Sequence, residues 1–314
     1  MHTRRLRAAV AAVAALLAAG CAGAAGSHPA ETSSAGATPT STPPTSTAPT
    51  SSAPTSAPPT TSTASRTAPP SSTAPVRISA GQLAAGLSGI LGTGNSYSVA
   101  ALDLTTGRSA RAGAGGGMVL ASLVKLDILE TLLYQRQLGG RSLSDGEEDD
   151  AEAMIDNSDN AAGDRLFEAE GENSGLAAYH ALLGLHDTVL DPDGQWGLST
   201  TSAADQLLLV RALVSAGSPL NAASRKYALD LLGDVEADQR WGVSAAADKG
   251  STTHAKNGWL NIDRDNGLWA VTSAGVVRVG GHPVLMVVLS QHQPDFDTAV
   301  DRVERAAKLL ATAL

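Results

Sequence analysis

The amino-acid composition of this chain changes abruptly near residue 76, and that change limits which part of it can fold. Residues 27–76 contain 12 Ser, 13 Thr, 11 Pro and 9 Ala among 50 positions, with no aromatic residue and Val76 as the one large aliphatic side chain. Such a segment cannot bury enough apolar surface to offset the entropy lost on ordering. A packed core is therefore expected only in residues 77–314, whose 238 residues suffice for one α/β domain.

The first 20 residues have the pattern of an export signal. Three arginines within residues 4–7 precede an apolar run over 8–20, which is too short to cross a bilayer and is typical of a secretory signal peptide. The single cysteine, Cys21, follows small residues, and this arrangement resembles a bacterial lipoprotein signal. We therefore predict a signal peptide over 1–20 and acylation of Cys21. The alternative is an ordinary signal peptide cleaved at another small residue such as Ala25, and the arginine pair leaves twin-arginine export open.

Residues 21–76 are predicted to be a disordered, Ser/Thr/Pro-rich tether between that lipid and the folded domain. Proline favours extended polyproline II, which keeps such a linker semi-rigid. At about 3 Å per residue, the 50 residues of the biased segment reach roughly 150 Å. We therefore predict an exported protein on the outer face of the cell membrane, with its domain extending toward the cell wall.

The charge and the cysteine count exclude several classes of protein. Three of the 22 Lys and Arg lie before residue 20, so 19 remain against 31 Asp and Glu, a balance of −12. This acidic balance argues against nucleic acid as a partner. One cysteine is too few for a disulfide scaffold or a thiolate zinc site. We predict a monomer with no metal and no other cofactor.

Hydrophobic periodicity in residues 77–314 predicts strands at both ends of the domain and helices between them. The predicted strands cover 97–104, 108–112, 252–260, 268–277 and 283–290. The predicted helices cover 78–91, 122–138, 147–157, 160–170, 174–183, 202–216, 220–232 and 296–310. This order predicts one sheet built from both chain ends and a second lobe of helices, with an active site in the groove between them.

The long predicted helix begins with a serine and a lysine three residues apart. Positions i and i+3 share a helix face, so the ammonium of Lys125 can reach the hydroxyl of Ser122. A neutral amine can act as the base of a serine nucleophile, and burial or a second cation would lower its pKa toward that role. The alternative is that Ser122 is a helix cap or first-turn residue and that Lys125 is a solvated side chain.

Two further patterns gain meaning from their order along the chain. Residues 158–160, Ser-Asp-Asn, lie between two predicted helices, where alone they indicate a helix cap. Residues 256–258, Lys-Asn-Gly, lie on the first C-terminal strand, where a glycine indicates either close approach of a ligand to the backbone or a bulge. Together with Ser-x-x-Lys, they resemble the motif set of class A β-lactamases and penicillin-binding proteins, whose third motif is Lys-Thr-Gly. The flanks that also resemble this family are 101–108, 118–125, 155–160, 199–202, 255–259 and the terminal helix.

The resemblance covers residues 77–314 and implies their fold. It implies an α/β (α+β), β-lactamase-like domain with an antiparallel five-stranded sheet, which comes from both chain ends and is flanked by helices. The helices in the middle of the domain are expected to form an all-helical lobe. Only 36 positions separate Ser122 from Ser158, which is shorter than in typical class A enzymes, so we expect this lobe to be reduced.

The resemblance also implies a role for each motif residue. Ser122 is expected to be the nucleophile that forms an acyl-enzyme, and Lys125 its base or part of its proton relay. Ser158 is expected to pass a proton toward the leaving nitrogen, and Asn160 to hold Lys125 and the substrate amide. Lys256 is expected to attract a substrate carboxylate and to lower the pKa of Lys125. The expected substrate-binding residues are Asn160, Lys256, Asn257 and Gly258, and the expected oxyanion hole consists of the backbone N–H groups of Ser122 and Trp259.

Two departures from the family pattern affect the expected chemistry. Asn257 stands where the family has Thr or Ser, and its amide can still donate to a carboxylate. The stretch over 190–196 lacks the glutamate with which the omega loop of the family activates deacylating water. Asp191 or Asp193 is a candidate substitute, and the alternative is a turn supported by Asp, Pro and Gly. Without that glutamate we expect acylation to proceed and turnover to be slow.

The sequence therefore predicts a surface-tethered serine hydrolase that acts on β-lactam or D-alanyl peptide-type amide bonds. Its predicted partners are a β-lactam or a peptidoglycan stem peptide, and the membrane through Cys21. The alternative is a non-catalytic module that binds a cell-wall ligand in the same cleft. Two nearby side chains also have two interpretations. His254 is a residue of the cleft rim or an exposed histidine, and Arg264 is a carboxylate ligand or a solvated loop residue.

Overall fold

The computed structural model describes residues 77–314, the part of the chain in which the composition predicts a packed core. The predicted signal peptide, the predicted lipidation site Cys21 and the predicted tether lie outside the described residues, so what we expect of them stays a prediction. Among residues 77–314, no helix is both long enough and apolar enough to cross a membrane.

Seven strands form one large and one small sheet in residues 77–314. They are β1 (Tyr97–Asp103), β2 (Ser109–Gly113), β3 (Met118–Val119), β4 (Thr200–Thr201), β5 (His254–Ile262), β6 (Leu268–Val279) and β7 (His282–Gln293). The large sheet is antiparallel with the order β2-β1-β7-β6-β5, and β3 pairs with β4. Because β1 lies beside β7, with Tyr97 opposite Ser290, the two ends of the domain meet in one sheet. This confirms the predicted five-stranded sheet.

The described residues also contain eight α-helices, two of which begin with a capping box. They are α1 (Ala80–Leu91), α2 (Val124–Leu138), α3 (Asp145–Asp156), α4 (Asn160–Glu170), α5 (Glu172–Leu183), α6 (Ala203–Ala212), α7 (Ala222–Asp234) and α8 (Phe296–Ala311). All eight correspond to predicted helices, with shifts at their ends. The largest shift is in α6, which ends four residues before the predicted end at 216.

The large sheet has a hydrophobic core on each face. One face packs against α1 and α8, where Leu87 and Leu310 are fully buried. The other face packs against the helical lobe, whose central element is α2. Ten consecutive residues of α2, 124–133, are buried, so this part of the helix has no solvent-facing side. As a result, α2 carries Lys125 into the interior between the sheet and the lobe.

Three acidic side chains of α2 and α4 are buried inside the helical lobe. Asp127, Glu130 and Glu170 are each at most 3% exposed. His180 Nε2 lies 2.9 Å from Asp127 Oδ2, and the Tyr179 hydroxyl donates to Glu130 Oε2 at 2.9 Å, but neither carboxyl oxygen of Glu170 has a hydrogen-bond partner. Burial, and after it the charge of Asp127, raises the pKa of Glu170 to about 10. Glu170 is therefore protonated in the folded protein at neutral pH.

The substitution Glu170→Gln should stabilise the fold more at pH 8 than at pH 5. Between an unfolded-state pKa near 4.5 and the folded-state value of about 10, folding takes up a proton, so the glutamate lowers stability as the pH rises. Glutamine has a similar shape and does not titrate, so the gain in unfolding free energy should grow by about 4 kcal/mol between the two pH values. Urea unfolding measures this gain, with Glu168→Gln, on the exposed side of the same helix, as the matched control. An equal gain at both pH values would contradict a protonated Glu170.

Candidate active site

Ser122 lies in a short 3₁₀ turn, Ala121–Leu123, that leads directly into α2. The sequence predicted Ser122 inside the first turn of the α-helix. The structure differs because Ala121 has a left-handed backbone with φ 50°, which an α-helix does not accept. The turn is tied to a neighbouring segment by a hydrogen bond from Leu120 N to Ser199 O at 2.9 Å. A strained residue that its surroundings hold in place is common at functional sites, and here it presents Ser122 half-buried at the start of α2.

Lys125 has no exposed surface, and oxygen atoms from three residues surround its ammonium. Nζ donates to Ser122 Oγ at 3.3 Å, to Ser158 O at 2.6 Å, to Ser158 Oγ at 3.2 Å and to Asn160 Oδ1 at 2.6 Å. Four acceptors around three N–H groups leave no proton of the ammonium unpaired. The predicted contact between Ser122 and Lys125 is therefore present, and the alternative of a solvated lysine is wrong.

The loop between α3 and α4 brings Ser158 and Asn160 to Lys125. Ser158 has a left-handed backbone with φ 57°, which turns the chain sharply after α3. Asp159 then caps α4, since its Oδ1 accepts a hydrogen bond from Ala162 N at 2.7 Å. The helix-cap interpretation is thus correct for Asp159, and the serine and the asparagine on either side of it point to the lysine.

Lys256 supplies a second buried ammonium next to the first. Its side chain is 1% exposed, and Nζ donates to Ser158 Oγ at 3.0 Å and to Asn257 O at 3.0 Å. Ser158 Oγ therefore accepts from both Lys125 and Lys256, which fills its two lone pairs and leaves its own proton free to be donated. The four side chains form a continuous chain from Ser122 through Lys125 and Ser158 to Lys256.

Burial changes the acidity of both lysines. Loss of hydration lowers the pKa of Lys125 to about 8, against the opposing effect of the charges of Asp159 and Asp164. Burial also lowers the pKa of Lys256 well below its ordinary value, and the charge of Lys125 adds to that decrease. Of the two causes expected for Lys125, burial and a second cation, burial is the main one. Near neutral pH, an appreciable fraction of Lys125 is a free amine that can accept a proton.

Gly258 allows the edge strand β5 to pass very close to the turn that carries Ser122. A Cβ atom at position 258 would lie 2.5 Å from Leu123 N and 2.8 Å from Ser122 N, distances at which atoms overlap. Glycine is therefore required here for close approach between two backbones. Trp259 follows on the same edge strand, and its side chain packs against Trp241 and Phe296 with ring centroids 6.0 and 5.7 Å apart. The oxyanion hole formed by the Ser122 and Trp259 N–H groups stays a prediction.

The structure does not bring the Asn257 side chain to this cluster. The Asn257 amide is 2% exposed and donates to Gln239 O at 2.7 Å and to Trp241 O at 3.3 Å. Neighbouring residues of a strand point to opposite faces of the sheet, so Asn257 cannot share the face of Lys256. The predicted donation from this amide to a substrate carboxylate does not fit its observed partners.

The loop over 190–196 contains a turn closed by a carboxylate. Asp191 Oδ1 accepts from Asp193 N at 3.1 Å and from Gln195 N at 3.2 Å, so its side chain holds its own loop together. Asp193 is exposed on the surface. These contacts favour the turn interpretation of this stretch over the substitution of the omega-loop glutamate by either aspartate.

Sequence reasoning missed Trp196, which follows this turn. The Lys125 ammonium lies 5.2 Å from the centre of its indole ring, and its Nε1 donates to Asp164 Oδ1 at 2.8 Å. The sequence did contain one indication of its importance. The chain has only four tryptophans, and this one lies in a loop of Asp, Pro, Gly and Gln. An aromatic ring in such a loop needs a surface to cover, and here that surface is the buried lysine.

Two side chains that the sequence analysis considered as candidate cleft residues, His254 and Arg264, lie elsewhere. His254 is half-buried, and its Nδ1 lies 2.8 Å from Leu229 O, which ties the start of β5 to α7. Arg264 is exposed in the turn Asp263–Asp265 that joins β5 to β6, as the loop interpretation predicts. Neither side chain belongs to the lysine cluster.

Comparisons with known proteins agree with this geometry. The mycobacterial protein named "Putative lipoprotein LppW", from Mycobacterium tuberculosis, is 27% identical over 224 residues, which cover 69% of this chain and 70% of that one. The solved structure of a PBP-A variant, an acyl-enzyme complex with penicillin G, has a TM-score of 0.63 at 20% identity over 74% of this chain and 96% of that chain. An ancestral class A β-lactamase has a TM-score of 0.61 at 22% identity over 74% of this chain and 100% of that chain.

The structural similarities show that the described residues have the β-lactamase-like fold. The family model described as "Beta-lactamase enzyme family" matches residues 148–314, which include the second and third motifs. This match covers more than half of the 314 residues, and the chain belongs to the Beta-lactamase enzyme family.

Proposed function

We propose that this protein is a serine hydrolase that is acylated on Ser122 by β-lactams or by D-alanyl peptide-type amides and that releases the acyl group slowly. The observation that carries this proposal is the position of Ser158 Oγ, which lies 3.2 Å from Lys125 Nζ and 3.0 Å from Lys256 Nζ. Ser122 Oγ lies 3.3 Å from the same Lys125 Nζ. Such an arrangement can move a proton from a nucleophile to a leaving group without bulk water.

In the proposed acylation, neutral Lys125 accepts the hydroxyl proton of Ser122 while Oγ attacks the carbonyl carbon. The backbone N–H groups of Ser122 and Trp259 stabilise the developing oxyanion. Lys125, now an ammonium, donates a proton to the Ser158 oxygen, and the Ser158 hydroxyl proton passes to the leaving nitrogen. The C–N bond breaks and an ester remains on Ser122. Lys256 contributes positive potential that attracts a substrate carboxylate.

Release of the acyl group needs a positioned water and a base that activates it. The carboxylate of Asp191 is engaged by its own loop, and Asp193 is exposed at the surface, so neither is placed to act on a water at Ser122. The similarity to PBP-A, a variant of which is described as an acyl-enzyme complex with penicillin G, supports a β-lactam as the acylating substrate. We therefore expect the ester on Ser122 to be hydrolysed much more slowly than it forms.

Labelling with penicillin tests the proposed function directly. The mature protein is incubated with a labelled penicillin, its intact mass is measured, and the modified residue is located by peptide mapping. We expect one adduct per chain, on Ser122, and slow hydrolysis of a chromogenic cephalosporin. Rapid cephalosporin turnover without a persistent adduct would contradict slow release. If the protein binds stem peptides but is not acylated by penicillins, peptides or esters, the proposed enzyme activity is wrong and the protein is a non-catalytic binding module.

The proposed location is the outer face of the cell membrane, where a lipid on Cys21 holds the domain at the end of its tether. LppW, which matches 69% of this chain, carries the word lipoprotein in its name and thereby supports an anchored form. One acyl chain gives only weak membrane binding, so stable anchoring requires more than one. An extended linker of 50 residues spans roughly 150 Å, a reach that fits a cell-wall substrate.

Replacing Cys21 with serine should move most of the protein from the membrane fraction to the soluble fraction. Serine has no thiol to carry the acyl chains, and each buried CH₂ of such a chain contributes about 0.8 kcal/mol to membrane binding. Fractionation of the cells and metabolic labelling with an alkyne fatty acid measure the change. Ser27→Ala, which leaves the thiol in place, is the control. An unaltered membrane fraction in the Cys21 variant would rule out the lipid anchor.

A further inference from the structure

The ammonium of Lys125 is covered on one side by an aromatic ring. Three residues supply its oxygen acceptors, and the centre of the Trp196 indole lies 5.2 Å from Nζ. The ring face attracts the ammonium, which favours the charged form, and the ring also excludes water, which disfavours it. Burial is the main cause of the lowered pKa of Lys125, so the exclusion of water outweighs the attraction. The ring therefore contacts the proposed base of the reaction and contributes to its complete burial.

The chain holds Trp196 in place from two directions. Its Nε1–H donates to Asp164 Oδ1 at 2.8 Å, which ties the ring to α4. Its carbonyl accepts from Ser199 N at 3.1 Å, and the carbonyl of Ser199 accepts from Leu120 N at 2.9 Å, one residue before the turn that carries Ser122. The loop with the indole and the turn with the nucleophile are thus joined by two consecutive hydrogen bonds.

We propose that Trp196, anchored by Asp164, is a positioning residue that excludes water from Lys125 and so keeps this lysine able to act as a base near neutral pH. This inference rests on the proposed function, because it concerns the same acylation step. It assigns to an aromatic side chain and to an aspartate roles that lie outside the three motifs.

The charged groups around Lys125 determine what each substitution should do. Asp159 and Asp164 face it from α4 and oppose the decrease of its pKa, and Lys256 faces it from β5. Asp156, at the end of α3, acts on Lys256 and favours its charged form. Water admitted to Lys125 should raise its pKa toward the ordinary 10.5, since burial is the main cause of the decrease. Removal of the Asp164 charge should lower the pKa further.

The pH dependence of acylation tests this inference. Rate constants for labelling by penicillin are measured from pH 6 to pH 10 for the wild type and three variants. Trp196→Ala should raise the apparent pKa by about one unit and slow labelling about tenfold at pH 7, with recovery at high pH. Trp196→Phe retains a ring but has no N–H to donate to Asp164, so its apparent pKa should lie between those of the wild type and Trp196→Ala. Asp164→Asn can still accept from the indole N–H but has no charge, so its apparent pKa should fall.

A second measurement needs no substrate. The chain has five lysines, so lysine labelled with ¹³C at Cε gives five signals whose pH titration reports each ammonium directly. The Lys125 midpoint should rise by about one unit in Trp196→Ala and fall in Asp164→Asn. If these shifts occur in a protein that penicillin does not label, the positioning role stands and the proposed function fails.

The inference is overturned if Trp196→Ala labels more slowly by the same factor at every pH, or if the Lys125 midpoint does not move. A purely structural role of the tryptophan predicts the first result, because a disturbed site reacts more slowly whatever its protonation. Asp164 lies on the exposed side of α4, so its asparagine variant should fold as the wild type does. Asp164→Ala loses both the charge and the acceptor of the indole N–H, so its Lys125 midpoint should lie above that of Asp164→Asn, and this comparison tests the inference even if Trp196→Ala does not fold.

Discussion

The substitution Lys125→Met should lower the rate constant for acylation of Ser122 by about three to four orders of magnitude at pH 7. Methionine fills similar space but cannot accept the hydroxyl proton, and the loss of a positioned general base reduces rates by about 10²- to 10⁴-fold. The expected effect lies near the upper end because the same lysine donates to Ser158 in the next proton transfer. Stopped-flow or quenched labelling with penicillin measures the rate constant directly.

Two further lysine variants separate a base from a positive charge. Lys125→Arg retains the charge but does not lose its proton in proteins, so it should be nearly as slow as the methionine variant. Lys226→Met removes an exposed lysine that pairs with Asp230 on α7, and it should label as the wild type does. If the arginine variant labels within tenfold of the wild type, Lys125 acts through its charge and the base assignment is wrong. Thermal unfolding of each variant checks that the comparison involves folded protein.

The three motifs could be found in the sequence because each is short and its local structure is constrained. The spacing of Ser122 and Lys125 alone places them on one helix face, and the structure has Nζ 3.3 Å from Oγ. Spacing cannot predict that Ser158 and Lys256, which lie 98 positions apart, share a hydrogen bond of 3.0 Å. That contact depends on how β5 passes the helical lobe, and before the structure only the family resemblance indicated it.

Two features of the site differed from expectation or were missed for identifiable physical reasons. The alternation of side chains along β5 already implies that Asn257 faces away from Lys256, and the expected carboxylate contact overlooked this alternation. Trp196, whose ring lies 5.2 Å from the Lys125 ammonium, directly follows a turn that the carboxylate of Asp191 closes. Tertiary packing determines which groups donate hydrogen bonds to a loop aspartate, and local sequence patterns do not predict that packing.

The buried acids of the helical lobe illustrate the same limit. Glu170 ends a predicted helix, where an ordinary interpretation is a solvated acid. The structure places it beside Asp127 with neither carboxyl oxygen paired. The sequence predicted both α4 and α2, but it did not predict how α4 packs on α2. The burial of Glu170 depends on that packing.

The substitution Gly258→Ala should reduce the acylation rate constant by about two to three orders of magnitude while the fold is retained. The added Cβ would lie 2.5 Å from Leu123 N and 2.8 Å from Ser122 N, so either β5 or the turn must move. Both nitrogens belong to the backbone, which cannot rotate away as a side chain does. Displacing one donor of an oxyanion hole lowers rates by about 10²- to 10³-fold, and the Ser122 N–H is the proposed donor.

The same substitution should lower the unfolding free energy by about 1 to 3 kcal/mol, the usual effect of overpacking a filled site. Gly146→Ala, on α3 with no atom within 4 Å of the added Cβ, is the matched control. It should stabilise the helix by about 0.5 to 1 kcal/mol and label normally. Labelling is therefore compared at a temperature at which circular dichroism shows every variant folded. If folded Gly258→Ala labels within tenfold of the wild type, the backbone of the Ser122 turn does not stabilise the oxyanion, and the transition state must be held by other donors.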